Sequence, residues 1–423
     1  MFDKTLYLYE NFSNIAGVDM NATLKQDLWN KDYTLKLSLP DIWNVEVLRM
    51  EGDSKRVLGA GAYRKAIASL AAMLKGKKEI CILFDDISRP TRAYKIVPYL
   101  LELFEQCGIR DGQVRFLCAL GTHGPLDNTA FRKKLGEEVL ERFPVYNHNP
   151  YDNCEHIGKT KFGTPVIVNK EYLSCDVRIA IGSFLLQSIC GFGGGYKIVM
   201  PGVSHIDSMT YHHGKLLKQC WDTCYGIGRH TGNPLLEDLR EYGKIARLDG
   251  VINVLVNSTA QSVDIYAGTP DGLYAAFAEK ALAHYRTPFA RKADVVFANT
   301  YAKANEGVIA LSLAEPLLKD EGGYVVVLCD VEAGQVVHYL LGRFGKNSWG
   351  RLTFGERVKD SRVKKIFIVS RHRDRASDWW FGKEEDLEFF TNTEDVVTRL
   401  KGIYRNKNID VSVIPDGTIQ TLT

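Results

Sequence analysis

Three short segments hold the residue types most capable of chemistry. Gly191–Gly202 reads GFGGGYKIVMPG, with four glycines in five positions and one lysine, Lys197, just beyond them. Gly193, Gly194 and Gly195 allow backbone that other residues resist, so N–H groups there can approach an anion or a flat ring. Lys197 can hold a phosphate or react through its amine. The pair His212–His213 follows, and the His213 imidazole can bind a transition metal. Glycine loop, lysine and histidine together point to a bound cofactor rather than a plain turn. The second segment, DDISRPTR (Asp85–Arg92), brings Asp86 near Arg89 across a turn. Arg89 offers a planar fork for a carboxylate or phosphate; the plainer alternative is a local pair that stabilises the turn. The third, ALGTHGPLD, places His123 after an apolar run. There it can act as acid or base near neutral pH, or cap the following helix.

Familiar nucleotide signatures do not match. A dinucleotide fingerprint needs glycine where Tyr196 stands, and a Walker loop needs Ser or Thr where Ile198 stands. The Gly158–Lys159–Thr160 triplet lacks its partner glycine, since that position is Asn153, and reads as a polar turn. No Ser-His-Asp order, HExxH or EF-hand spacing occurs. His148 and His156, in a polar loop, read as structural, as does Gln187 near a strand end.

The elements that must position these residues alternate. KEICILFDD, QVRFLCALGTHG and CDVRIAIGSF read as buried strands, with AYKIVPYLLELFEQCG and TAFRKKLGEEVLERF as helices between them. The rhythm restarts with KADVVFANT, GVIALSLAEPLLKD, GGYVVVLCDVEAG and VKKIFIVS, and DVSVIPDGTIQTL closes as strand and tail. The expected fold is α/β, with two domains that each carry a mainly parallel sheet flanked by helices. The break is expected within residues 265–290, giving a cofactor-binding and catalytic domain over 1–268 and a second α/β domain over 269–423 that closes the cleft. Parallel sheets bind ligands beyond the carboxyl ends of their strands, and Asp85, Asp86, His123, Gln187 and Asn299 stand at such ends.

A chain of 423 residues suits two domains. Its net charge of +3 and lack of a long Lys/Arg run imply no nucleic-acid partner. Nine cysteines without a CxxC pair suggest reduced thiols in a cytoplasmic protein. The first residues, MFDKTLYLYENF, lack a signal-peptide pattern. No apolar run reaches the roughly 18 residues of a membrane helix.

Taken together, the three loops resemble the lactate racemase family, nickel-pincer-nucleotide enzymes that include other 2-hydroxy acid racemases and epimerases. DDISRPT matches the family's DDxTRPT-like segment, Gly121–Thr122–His123 its GTH loop, and GFGGGYKIVMPG its GxSGGxKxxxPG loop. His212–His213 matches its histidine pair, and order and spacing agree over about residues 80–235, including GRHTGNP near Asn233. The second half matches only through its strand–helix rhythm. The resemblance implies an isomerase that inverts C2 of a hydroxy acid through a 2-oxo acid, by hydride transfer to the pyridinium-3,5-bisthiocarboxylic acid mononucleotide nickel cofactor. It implies that Lys197 forms a thioamide with that cofactor and that Gly193, Gly194, Gly195, Ser88 and Thr122 help hold it. His213 would bind Ni, His123 would be a catalytic base, and Asp86 and Arg89 would lie in the active site with Arg89 near the substrate carboxylate. Proteins of cofactor synthesis would act as donors.

Two departures stand out. Gln187 occupies the position of the family's second catalytic histidine and cannot take a proton at neutral pH. The family's substrate segment in the second half is replaced by NTYAKANEG, with Tyr301, Lys303, Asn305 and Glu306 as candidate substitutes, Lys303 also as a proton acceptor. Both departures favour a substrate more polar than lactate. A nicotinamide-dependent oxidoreductase and a non-catalytic cofactor-binding protein are the rival readings.

Overall fold

The computed structural model describes residues 20–30, 33–338, 357–375, 378–405 and 407–422. They fall into two compact units. One holds residues 54–285 with 337 and 338; the other holds 20–53, 286–336 and the described residues from 357 onward. This division differs from the expected 1–268 and 269–423. The helix Pro270–Tyr285 packs in the first unit. Residues 20–53 join the second, where Asn44–Val47 adds a parallel edge strand beside Asp410–Ile414.

The larger unit is built on a six-stranded sheet. Its strand order is Ser262–Gly268, Gly250–Val256, Val177–Ser183, Ile80–Phe84, Val114–Cys118, Val145–Asn147. All neighbours are parallel except the first pair, which is antiparallel. Ile80–Phe84 and Val177–Ser183 are buried at every position, which is why they read as continuous apolar runs rather than alternating ones. The chain leaves Ile80–Phe84 to one side for Val114–Cys118 and later returns on its other side as Val177–Ser183. That reversal opens a crevice at the carboxyl ends of these strands. Asp85, His123 and the glycine loop follow these three ends. The predicted helix TAFRKKLGEEVLERF forms as two pieces, Asn128–Leu135 and Glu137–Arg142, because Gly136 sits between them at φ 93°. Asp127 caps the first piece by accepting from Ala130 N.

The smaller unit has a second six-stranded, all-parallel sheet. Its strands alternate faces with period two. Val296, Ala298, Val325, Val327, Ile366 and Ile368 pack with helix Gly307–Ala314 on one face. Val295, Phe297, Val326, Phe367 and Val369 pack on the other with the hairpin Met20–Leu39 and helix Thr393–Tyr404. Seven cysteines are free thiols, whereas Cys220 and Cys224 are placed as a disulfide. This pair departs from the expectation of reduced thiols throughout; one helical turn brings the two side chains together. Among the described residues, no helix is long and apolar enough to cross a membrane.

Candidate active site

The loop after Ile80–Phe84 folds around its acids. Asp86 is buried and accepts from Ser88 N at 2.6 Å, from the Ser88 hydroxyl, and from His123 Nδ1 at 2.7 Å. Burial alone would raise the Asp86 pKa, but the His123 charge and hydrogen bond, with Arg89 and Ser88, hold it well below the carboxylate range. Asp86 is therefore an anion, and the His123 proton stays on Nδ1. The Nε2 lone pair of His123 is then the basic one, which is the orientation a general base needs. Arg89 Nη1 donates to the Ser88 carbonyl at 3.0 Å and to Ser88 Oγ at 2.9 Å.

Lys134, from the following helix, is fully buried. It donates to the carbonyls of Asp86 (2.8 Å) and Arg89 (3.1 Å) and pairs with Asp85 at 2.6 Å. Sequence reasoning missed it because its spacing in FRKKLG resembles any solvated helix face. The GTH loop is tied to the glycine loop, since Gly121 N donates to Gly202 O at 2.9 Å. Gly121, at φ +57°, lies so close to Pro201 that a Cβ would meet it at 3.2 Å.

In the glycine loop, the three central glycines do different things. Gly194 has φ 79° and ψ −166°, and a Cβ there would lie 2.6 Å from Ser183 O and 2.7 Å from Asn253 Oδ1. Gly195 donates its N–H to Asn253 Oδ1 at 2.8 Å. Gly195 has φ +53°, and a Cβ there would meet the Tyr274 ring at 3.0 Å, so both glycines are required by protein packing. Gly193 differs: a Cβ there would meet only Leu185 O, at 3.9 Å. Its open surface is where a ligand can approach the backbone. Asn253 was also missed, although an asparagine inside the apolar run VINVLV was a visible signal. It is buried at 1 % exposure and bridges to Gly182 O and Ile252 O.

The two histidines sit on a π-helical stretch, Tyr211–Leu216, between helices Ile206–Thr210 and Leu217–Cys224. Such single turns are uncommon and frequently mark functional sites. His212 is fully buried, and burial pushes its pKa down to about 3, so it is neutral. Its Nε2 lies 3.1 Å from the Leu235 carbonyl, which can only accept, so Nε2 carries the proton. His212 Nδ1 is then an acceptor, and His213 Nδ1 donates to it at 3.2 Å. Burial, then the Lys197 charge, holds the His213 pKa well below its ordinary value. His213 is neutral with its Nε2 lone pair exposed to a ligand, as metal binding requires. Asn233 fixes Leu235 by accepting from Leu235 N and Leu236 N and by donating to the carbonyls of Ile189, Cys224 and Arg229.

Gln187 has a backbone role, its Oε1 accepting from Ile189 N (2.9 Å) and Cys190 N (2.6 Å). Thr122 Oγ1 is 3.1 Å from Nδ1 and 2.9 Å from Nε2 of His338, a residue the sequence reading did not single out. In the smaller unit, Lys303 is ion-paired with Glu306 and Tyr301 is buried. Asn299 follows its strand end but serves structure, donating to the carbonyls of Lys25 and Pro415.

Residues 31–223 match the family described as "Lactate racemase N-terminal domain". A lactate racemase from Thermoanaerobacterium thermosaccharolyticum is 25 % identical over 335 residues, covering 77 % of this chain and 74 % of that one. Residues 31–223 thus carry the N-terminal domain of the lactate racemase family. A second member, the lactate racemase of Lactiplantibacillus plantarum, is 27 % identical over 202 residues, 47 % of each chain. The solved lactate racemase apoprotein from T. thermosaccharolyticum has the same fold, with a TM-score of 0.70 at 19 % identity over 96 % of this chain and all of that one. A protein of solved structure from Thermotoga maritima aligns with a TM-score of 0.65 at 16 % identity, over 88 % of this chain and all of that one. The family match spans the DDISRPT, GTH and glycine-loop segments and both histidines.

Proposed function

We propose that this chain is a racemase or epimerase that inverts C2 of a 2-hydroxy acid with a nickel-pincer nucleotide. The observation that carries the reading is the pairing of an Asp86–His123 dyad with a glycine loop, Lys197 and an imidazole whose Nε2 is left for a metal. The residues fit that cofactor on three counts. Gly193 leaves room over its Cα for a flat group, its N–H being held by the Leu185 carbonyl at 2.7 Å. His213 is held neutral with one lone pair presented. Among the described residues no three His, Cys, Asp or Glu side chains converge on a metal site, so an ion at His213 would have to bring its remaining donors, and soft sulfur beside imidazole suits nickel. Lys197 and His213 would hold the group, with Gly193, Ser88 and Thr122 nearby in the same unit.

When bound, the group supplies a hydride acceptor and donor. His123 Nε2 takes the hydroxyl proton of the substrate, and Asp86 stabilises the imidazolium so formed. Arg89, held beside Asp86 on the same loop, is the cation for the substrate carboxylate. We further propose a substrate more polar than lactate. The Gln187 Oε1 is taken by backbone N–H groups, which leaves its amide N–H2 as a donor for an additional hydroxyl. The proposal includes a cytoplasmic setting, in keeping with seven free thiols, and cofactor-synthesis proteins as donors.

The test is to produce the chain with the cofactor pathway and assay a panel of 2-hydroxy acids, polyhydroxylated and simple, for stereoinversion and C2 hydrogen exchange. Inversion of a polar hydroxy acid is expected. Lactate as the best substrate would overturn the specificity, and no inversion of any acid by nickel-loaded protein would overturn the activity.

A further inference from the structure

Inversion at C2 places the substrate hydroxyl in two different positions, one for each stereoisomer, and each needs a proton acceptor. His123 serves one. Gln187 cannot serve the other, because an amide does not titrate and its oxygen is already bonded to two backbone N–H groups. The remaining ionisable groups close to the dyad are mostly committed. Lys134 is fully buried on Asp85 and two carbonyls, and His212 is neutral and bonded through both nitrogens.

Among the described residues, one further imidazole adjoins the dyad. From its place in the larger unit, His338 sets its ring 5.5 Å from that of His123, centroid to centroid, at an interplanar angle of 70°. It is only partly buried, so solvent or substrate can exchange protons with it. The Thr122 hydroxyl lies within hydrogen-bond distance of both its nitrogens. One oxygen at such distances from both nitrogens faces the Cε1 side of the ring between them, so the contact seats the His338 ring against the GTH loop beside His123.

We infer that His338 is the second proton acceptor of the site, taking the hydroxyl proton of the stereoisomer that His123 does not serve. This inference rests on the proposed inversion at C2. His123 comes from the GTH loop and His338 from a distant part of the chain, and their rings meet edge to face, so a hydroxyl that swings as C2 inverts passes from the reach of one to the reach of the other.

The experiment is single-turnover oxidation of each stereoisomer separately by cofactor-loaded protein, with the 2-oxo acid trapped by a hydrazine after rapid quench. His123→Gln should slow one stereoisomer by about 10²- to 10⁴-fold, the usual worth of general-base catalysis, and leave the other within a few-fold. His338→Gln should show the mirror pattern, and His338→Asn should repeat it. Equal effects on both stereoisomers, or none, in both His338 variants would overturn the inference while leaving the function intact. A wild-type protein that forms no 2-oxo acid from either stereoisomer would instead bring down the function itself, and this inference with it. A readout independent of turnover is the contact between the His123 and His338 rings in unloaded protein, read as an NOE between their ring protons and expected from the 5.5 Å centroid separation. Its absence would show that the rings do not face each other in solution and would also reject the assignment.

Discussion

Replacing Asp86 by Asn tests the dyad directly. The carboxylate is 5 % exposed and His123 12 % exposed, so solvent screens their interaction little. During proton transfer His123 becomes a cation 2.7 Å from Asp86 Oδ2. Two unit charges about 4 Å apart at an effective dielectric of about 20 attract by ~4 kcal/mol. The amide dipole of Asn keeps a fraction of that, so the loss is ~3–4 kcal/mol. At ~1.4 kcal/mol per tenfold, this predicts a fall in kcat of about 10²- to 10³-fold. Asn can also turn its N–H2 toward Nδ1, which moves the ring proton to Nε2 and blocks the base outright. The assay is stereoinversion by loaded protein, with nickel and cofactor content measured on the same sample. A fall of less than tenfold at full loading would refute the charge argument. Loss of nickel in proportion to activity would show that Asp86 holds the loop and not the base.

Lys197→Ala should abolish any covalent cofactor adduct seen by intact mass, and an adduct mapped to another lysine would reject its role. His213→Ala should remove most of the nickel, whereas His212→Ala, which only frees the His213 tautomer, should lower occupancy more mildly; equal occupancy in both would show a misassigned ligand. Gly194→Ala places a side chain in a backbone region open essentially to glycine and against Ser183 O, so it should destabilise the larger unit by roughly 2–5 kcal/mol in denaturant titration. Gly193→Ala has room for its methyl and should unfold as wild type does while loading less cofactor; matching stability losses in the two variants would refute the division of labour between them.

Much of this architecture was legible because buried parallel strands announce themselves. ICILF is wholly apolar, VRIAIGS is interrupted only by Arg178 before its terminal Ser183, and VVFAN is apolar up to Asn299, and each ends where a loop residue of chemical interest begins. DDISR, GTH and the glycine loop were visible because side-chain type and spacing carried their chemistry. Lys134 and His338 were not. Their roles depend on contacts 48 and 216 residues away in sequence, and nothing local separates them from surface residues. The unit boundary was hidden for a related reason. Asn44–Val47 has no apolar run of its own and becomes a strand only because Asp410–Ile414 offers an edge. The division of labour among Gly193, Gly194 and Gly195 likewise needed the positions of Ser183 and Asn253.

The Leu235 carbonyl has a consequence for how this family can change over time. It sets the protonation pattern of two histidines, yet every amino acid carries the same carbonyl. Substitution at position 235 is therefore constrained by packing alone and is silent toward the metal. An insertion or deletion in the loop before it is a different matter. Asn233 begins the helix, so one residue more or fewer between Cys224 and Asn233 would move the carbonyl away from His212. With that acceptor gone, either nitrogen of His213 could be presented. Metal affinity would then drift through changes in loop length, with both histidines intact and every recognisable motif still in place.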